Sequence, residues 1–222
     1  LNGEKYHLMG GTASNYWIKK FGLSSEIESS DMDTCAQEAI HILMETRFNK
    51  VFEGYLPSTG VLLTTYRNGS RVDRRPSDML IDVLNKIYPI DNIMNVPQGI
   101  VHREDMGEVF AGSTVKANII DPLSCFLSKA PIRHRGVQIE KDKRYLSCLA
   151  ALIPEYLKYS EKCQKRGRII RDPKVLSRRF INETEKYPYA PGIPVELFES
   201  VRTACYDFSG NWGHTWFCDN PY

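Results

Sequence analysis

Two aspartates one residue apart, twenty positions after a Gly-Gly pair, are where this chain offers chemistry. Leu8-Met9-Gly10-Gly11-Thr12 reads as a short apolar strand ending in two glycines that open a helix, and Asp31-Met32-Asp33 follows. Glycines let backbone come close to a phosphate, and a helix N-terminus presents unpaired N–H groups at the positive end of its dipole. On a strand of period two, Asp31 and Asp33 face the same way. Such a pair of hard oxygens suits Mg²⁺, which takes a few carboxylates together with substrate phosphates. A third carboxylate would strengthen the set, because phosphoryl transfer commonly uses two metals. Asp82 is the candidate, as the lone charge in the apolar run Met79 to Leu84. A buried unpaired carboxylate is costly, so it is expected to be ion-paired or metal-facing. Asp73 and Asp78 lie in a polar, arginine-rich turn and are expected to be solvated.

Each signal alone is ordinary: most Gly-Gly pairs are simply turns, and most D-x-D triplets are solvated strand ends. Their order, strand, Gly-Gly, helix, D-x-D strand, is what carries information.

The elements that must position these groups divide the chain by texture. Up to about Ile120, short apolar runs alternate with glycines and turns. Strands are expected at Tyr6 to Met9, Asp31 to Cys35, Gly60 to Tyr66 and Met79 to Leu84. Helices are expected from Thr12 to Phe21, stopped by Gly22, and from Ala36 to Phe48. Asn68-Gly69 is a hairpin-type turn. Residues 91–101 and 108–120 should add strand or loop. Beyond Asp121-Pro122, a helix-opening pair, apolar residues recur at helical spacing. Helices are expected from there to about Ile132, from Lys141 to Cys163, from Asp172-Pro173 onward, and from Pro194 to about Tyr206. Tyr145, Leu149, Leu152, Tyr156 and Tyr159 share one face of the second, which Pro154 should kink or split. The tail from Asp207 to Tyr222 should pack as irregular chain. The expected architecture is α+β: a mixed sheet flanked by helices over residues 1–118, then an α-helical domain over 119–222.

Composition narrows the classes. With 222 residues, 42% hydrophobic and 25% charged, this is ordinary globular protein, neither fibrous nor disordered. A formal charge of +2 is too small for a general polyanion binder. No apolar run approaches a membrane span, and the opening residues carry neither the basic nor the apolar region of a secretory signal. Because the chain opens on Leu1, a segment upstream is expected. The six cysteines show no C-x-x-C pair and, like the five histidines, are dispersed. Reduced, partly buried thiols are therefore expected rather than disulfides or a zinc site, and the expected compartment is cytoplasmic.

The motif set resembles the DNA polymerase β-like nucleotidyltransferase superfamily, in which an apolar residue, Gly-[Gly/Ser], a helix, Asp-x-Asp and a later acid form the site. Gly10-Gly11-Thr12-Ala13 and Ser30-Asp31-Met32-Asp33 are most similar to its bacterial abortive-infection (type IV toxin) branch. Asp121 to Lys129 resembles the segment that delivers that family's lysine to the nucleotide. Lys141-Asp142-Lys143 resembles its Lys/Arg-Asp-Lys motif. The resemblance spans roughly residues 6–152. It departs where the family usually has another Asp after the Lys-Asp motif, since Arg144, Tyr145 and Ser147 occupy that stretch. It also departs in the loop from Ser24 to Ser30.

The resemblance implies Mg²⁺-dependent transfer of a nucleotidyl group from an NTP to a hydroxyl acceptor. In that scheme Asp31, Asp33 and Asp82 hold the metal, and Gly10, Gly11 and Thr12 cradle phosphates with Ser30 as a hydroxyl contact. Lys129 sets a point charge on the phosphates and Asp142 belongs to the nucleotide site. Without the resemblance, Lys129 would be expected on a solvated helix surface and Asp142 as a first-turn acid complementing a helix dipole. An antitoxin protein is an expected partner on the same ground. From the residues themselves, Lys162 to Phe180 carries eight basic side chains against only Asp172. That is a candidate track for an RNA backbone, or else a solvated face. The competing classes are an aminoglycoside-type small-molecule nucleotidyltransferase and a non-catalytic nucleotide-binding module.

Overall fold

A computed structural model describes residues 6–24, 27, 31–36, 38–56, 61–68, 80–85, 101–109, 114–130, 138–166, 173–186 and 193–210. Among them, seven strands form one mixed sheet and six α-helices surround or follow it, so the α+β expectation holds. In chain order these are β1 (Tyr6–Leu8), α1 (Gly10–Lys20), β2 (Asp31–Ala36), α2 (Glu38–Arg47), β3 (Asn49–Leu56), β4 (Val61–Arg67) and β5 (Leu80–Leu84). Then come β6 (Val101–Asp105), β7 (Lys116–Ile120), α3 (Pro122–Lys129), α4 (Gln138–Lys165), α5 (Pro173–Lys186) and α6 (Val195–Ser209). The strand order is β3-β4-β5-β2-β1-β7-β6. Parallel pairing joins β2 to β5 and β1 to β7; the other neighbours are antiparallel.

Helix α1 buries one side against the sheet and the helical half. Tyr16, Trp17 and Ile18 have no exposed surface, and Trp17 Nε1 donates to the Ile120 carbonyl at 2.7 Å. That bond satisfies an indole N–H in an apolar setting and ties α1 to the end of β7. The core continues without a break from β1, α1 and β7 into α3 to α6, through Phe126, Tyr145, Leu149, Tyr156, Phe180 and Phe198. A smaller cluster under α2 holds Ile40, Met44, Tyr66, Ile81 and Val83. Lys20, at the end of α1, is ion-paired with buried Glu104 on β6, which also accepts from Tyr16 at 3.0 Å.

Several sequence expectations need correction. Helix α1 begins at Gly10 rather than Thr12, so the glycines form its first turn instead of preceding it. Asn49–Leu56, which was not expected as a strand, forms a hairpin with β4. Helix α4 runs for 28 residues through Pro154, so of the two expected outcomes, a kink or a split, the split does not occur. The lost N–H costs a few kcal/mol in a helix interior. Ala150, Leu152, Ile153, Tyr156 and Leu157 are all buried around it, and that packing outweighs the loss. The last helix extends to Ser209, beyond the expected Tyr206. The five described cysteines are free, as expected, and burial pushes the Cys35 and Cys125 thiols up, which makes them poor nucleophiles. Ser30, Gly69, Asp73, Asp78, Arg168, Arg171 and the tail from Asn211 lie outside the described residues. No described helix is long and apolar enough to cross a membrane.

Candidate active site

The sheet register assembles the three acids. Asp31 and Asp33 alternate with Met32 at the start of β2, and in the parallel β2–β5 pair Asp33 lies directly beside Asp82. Neighbouring residues in register share a face, so all three carboxylates converge. One oxygen from each lies within 4.8 Å of the others, the one such His/Cys/Asp/Glu group found among the described residues. Thr34 Oγ1 donates to the Asp82 carbonyl at 3.2 Å and cross-links the two strands behind the acids.

Two of the three carboxylates, those of Asp82 and Asp33, are held by donors from neighbouring elements. Asp82 lies opposite Thr65 in the β4–β5 ladder, and Thr65 Oγ1 donates to Asp82 Oδ1 at 2.7 Å. Asp33 Oδ2 accepts the Gly11 N–H at 3.0 Å, and the Asp33 carbonyl accepts the Met9 N–H at 3.0 Å. Met9 occupies the N-cap position of α1 and has no side chain able to cap it. Asp33 does so from another strand, a carboxylate at the positive end of a helix. Thr12 Oγ1 donates to the Asp31 carbonyl at 3.3 Å. The donors of Gly11 and Thr12 are thus directed at β2 in this structure.

This close approach of α1 to β2 explains Gly10. Its φ is +58°, and a Cβ there would lie 1.9 Å from Asp33 Oδ2. Only glycine admits the carboxylate.

The electrostatics are those of an anionic cluster partly balanced by the helical half. Burial and the neighbouring Asp31 carboxylate raise the Asp33 pKa to about 6; the Lys129 ammonium and the Gly11 N–H pull the other way. Burial also raises Asp82, opposed by the Thr65 hydrogen bond and reinforced by Asp31. Carboxylates packed this closely repel, and a divalent cation is the natural complement. The donor set, three carboxylate oxygens within 4.8 Å of one another, fits a hard divalent ion.

Lys129 sits in the last turn of α3, its side chain only 13% exposed, so it is not the solvated surface lysine its position alone would suggest. The turn is placed by Asp121, which caps α3 through its side chain on the Ser124 N–H at 3.0 Å with Pro122 in the first turn. Lys129 Nζ contacts Asp142 Oδ1 on α4 at 3.0 Å and lies 4.6 Å from the centre of the Tyr145 ring. The structure therefore brings Gly10, Gly11, Thr12, Asp31, Asp33, Asp82 and Lys129 into one region, with Asp142 touching Lys129. Ser30 falls outside the described residues.

Sequence reasoning missed Thr65, Asn15 and Tyr145. Thr65 had no local signal beyond its β-branched run, and Tyr145 reads as a core residue, which it also is. Asn15, one turn into α1, donates to the Tyr145 hydroxyl at 3.2 Å and to the Ile27 carbonyl at 3.0 Å.

No family model and no curated protein matches the chain. Among solved structures it aligns with a protein from H. pylori described as a putative nucleotidyltransferase, at 12% identity and a TM-score of 0.39, covering 94% of this chain and 88% of that one. It also aligns with JHP933 from Helicobacter pylori at 14% identity and a TM-score of 0.39, covering 94% and 85%. Likenesses this distant carry no weight beyond themselves, and the site stands on its own geometry.

Proposed function

We propose that this chain is a divalent-metal-dependent nucleotidyltransferase, moving a nucleotidyl group from an NTP to a hydroxyl acceptor. The observation that carries the reading is the convergence of Asp31, Asp33 and Asp82 from two paired strands beside the N-terminus of α1. Asp31, Asp33 and Asp82 would hold Mg²⁺. The ion, when bound, supplies positive charge that neutralises and polarises phosphate oxygens. The rest falls to the chain. The N-terminus of α1 offers the positive end of its dipole to the triphosphate, the Gly11 N–H itself being taken by Asp33. Lys129 places an ammonium against the phosphates as negative charge grows on the leaving group. Asp82, held by the Thr65 hydroxyl, would as a carboxylate accept the proton of the attacking hydroxyl. The hydroxyl oxygen forms a bond to the α-phosphorus, the bond to the bridging oxygen breaks, and pyrophosphate departs with the electron pair.

The acceptor favoured by surface charge is RNA. Lys162, Lys165 and Arg166 at the end of α4, with Lys174 and Arg178 on α5, are exposed, and Arg179 is half-exposed. Exposed cations spaced along two consecutive helices suit a phosphate backbone better than a small polycation.

The test is incubation with α-phosphate-labelled NTPs and Mg²⁺ in the presence of RNA, protein extract or aminoglycosides. Label should move to an acceptor in Mg²⁺, and neither with chelator present nor in an Asp31→Asn/Asp33→Asn variant. Transfer that persists in chelator overturns the metal-dependent reading.

A further inference from the structure

Lys129 is held from two sides by one helix. Asp142 and Tyr145 are three residues apart on α4 and so share a face. Asp142 takes the ammonium as an ion pair, while the face of the Tyr145 ring lies 4.6 Å from the same nitrogen. An ion pair alone leaves a lysine free to swing about its four-carbon stem; a ring face on a second side removes that freedom. Tyr145 is itself enclosed and tethered. It has no exposed surface, and its hydroxyl accepts from Asn15 on α1. Asn15 in turn bonds the carbonyl of Ile27, in the segment that leads from α1 into Asp31. One chain of contacts thus runs from the approach to the acidic strand, through Asn15 and Tyr145, to the ammonium whose charge reaches Asp33.

We infer that Tyr145 is a positioning residue for Lys129: its ring, anchored through Asn15, fixes the ammonium where it meets the substrate's phosphates. The inference rests on the nucleotidyltransferase reading, because it assigns Lys129 a triphosphate partner. The ring is the working part, and the hydroxyl serves to orient it.

The experiment uses the full chain and four proteins besides wild type: Tyr145→Phe, Tyr145→Leu, Lys129→Ala and the Tyr145→Leu/Lys129→Ala double variant. Thermal midpoints are compared first, so that losses are read only among folded proteins. With α-phosphate-labelled NTP and Mg²⁺, Tyr145→Leu should lower kcat by about ten-fold or more, as expected for a misplaced catalytic group, with a smaller change in KM. Tyr145→Phe, which keeps the ring, should stay within about three-fold of wild type. In the Lys129→Ala background, Tyr145→Leu should add almost nothing, because the two act as a unit. A second readout needs no turnover: in protein with isotope-labelled lysine, the Lys129 ε-methylene resonance should be ring-shifted in wild type and Tyr145→Phe, and not in Tyr145→Leu.

An additive double variant, or a Tyr145→Phe as damaged as Tyr145→Leu, overturns the positioning role while leaving the functional reading intact. A wild-type protein that shows the ring-shifted resonance but transfers no label to any acceptor overturns the functional reading, and the positioning role with it.

Discussion

Gly10 and Asp33 are a matched pair: the missing side chain of one is the space filled by the carboxylate of the other. Asp33 Oδ2 stands 1.9 Å from where a Gly10 Cβ would be, and 3.0 Å from the Gly11 nitrogen whose N–H it accepts. The helix N-terminus and the acid therefore form one unit, and neither can be changed without moving the other.

That pairing can be measured against an internal control. Gly22 also has a positive φ, +72°, but nothing lies within 4 Å of its would-be Cβ. Gly22→Ala should cost only the left-handed backbone strain, about 1–2 kcal/mol. Gly10→Ala carries that strain plus the clash, and should cost at least about 3 kcal/mol in urea unfolding. In an Asp33→Ala background the extra cost should vanish. If the two glycine variants are equally destabilised in the wild-type background, the close approach of α1 to β2 is wrong.

The raised pKa of Asp33 fixes the sign of a pH effect. A carboxyl whose folded pKa is about 6, against 3.8 for the isolated group, binds protons more readily when folded. Its contribution to stability is present at low pH and is lost as pH rises from about 4 through about 6. Above that the acids repel in full, and a divalent cation has most to offset. Mg²⁺ or Mn²⁺ should thus raise the thermal midpoint by more near pH 7.5 than near pH 5, a difference of more than about 2 °C. Asp33→Asn should raise the cation-free midpoint near pH 7.5 and abolish the cation's effect. A cation shift that is larger at the acid end argues against the carboxylate cluster as its site.

Much of the site could be read in advance because it depends on local periodicity. Alternation alone puts Asp31 and Asp33 on one face, and a lone acid in an apolar run marks Asp82. Thr65 could not be read, because its meeting with Asp82 depends on how β4 pairs with β5, and no spacing rule sets that register. Strand β3 was missed for a related reason. Lys50, Val51, Phe52, Glu53 and Tyr55 are exposed, so this edge strand lacks the alternation that burial imposes. The start of α1 was misplaced because its cap is supplied by Asp33, 22 residues downstream of Gly11. Lys129 was legible only through resemblance; its burial between Asp142 and Tyr145 comes from the packing of α3 on α4.

Thr65 gives a test of how the third acid is held. Thr65→Val keeps the shape and removes the hydroxyl that donates to Asp82 at 2.7 Å. Without that donor the Asp82 carboxylate is less favoured, so its pKa should rise further. Stability should fall by about 1 kcal/mol, and divalent-ion affinity about ten-fold or more, as when the support behind a metal ligand is removed. Asp82→Asn should abolish transfer while leaving the thermal midpoint unchanged or higher, since it relieves repulsion. Calorimetric titration with Mn²⁺ reads the affinity, thermal unfolding the stability, and label transfer the activity. Unchanged affinity in Thr65→Val would show that Asp82 is not a ligand.

The acceptor question turns on the exposed cations of α4 and α5. If RNA lies along them, each phosphate neutralised releases condensed counterions, and binding should weaken by roughly 0.7–0.9 log units per log salt for each contact. Replacing Lys162, Arg166 and Arg178 with alanine removes three exposed charges from this surface. It should therefore lower the salt slope by about two to three and weaken RNA binding across all sequences alike. None of the three is among the residues gathered at the acidic cluster, so NTP binding in Mg²⁺ should stay within about two-fold, taking surface substitutions as nearly neutral. Filter binding across a salt series gives the slope, and calorimetry with NTP supplies the control. Label that moves to RNA with an unchanged slope in the triple variant would place the RNA on another face. Label that moves instead to an aminoglycoside, indifferent to all three changes, would remove the basic surface from the reaction and make a small molecule the acceptor.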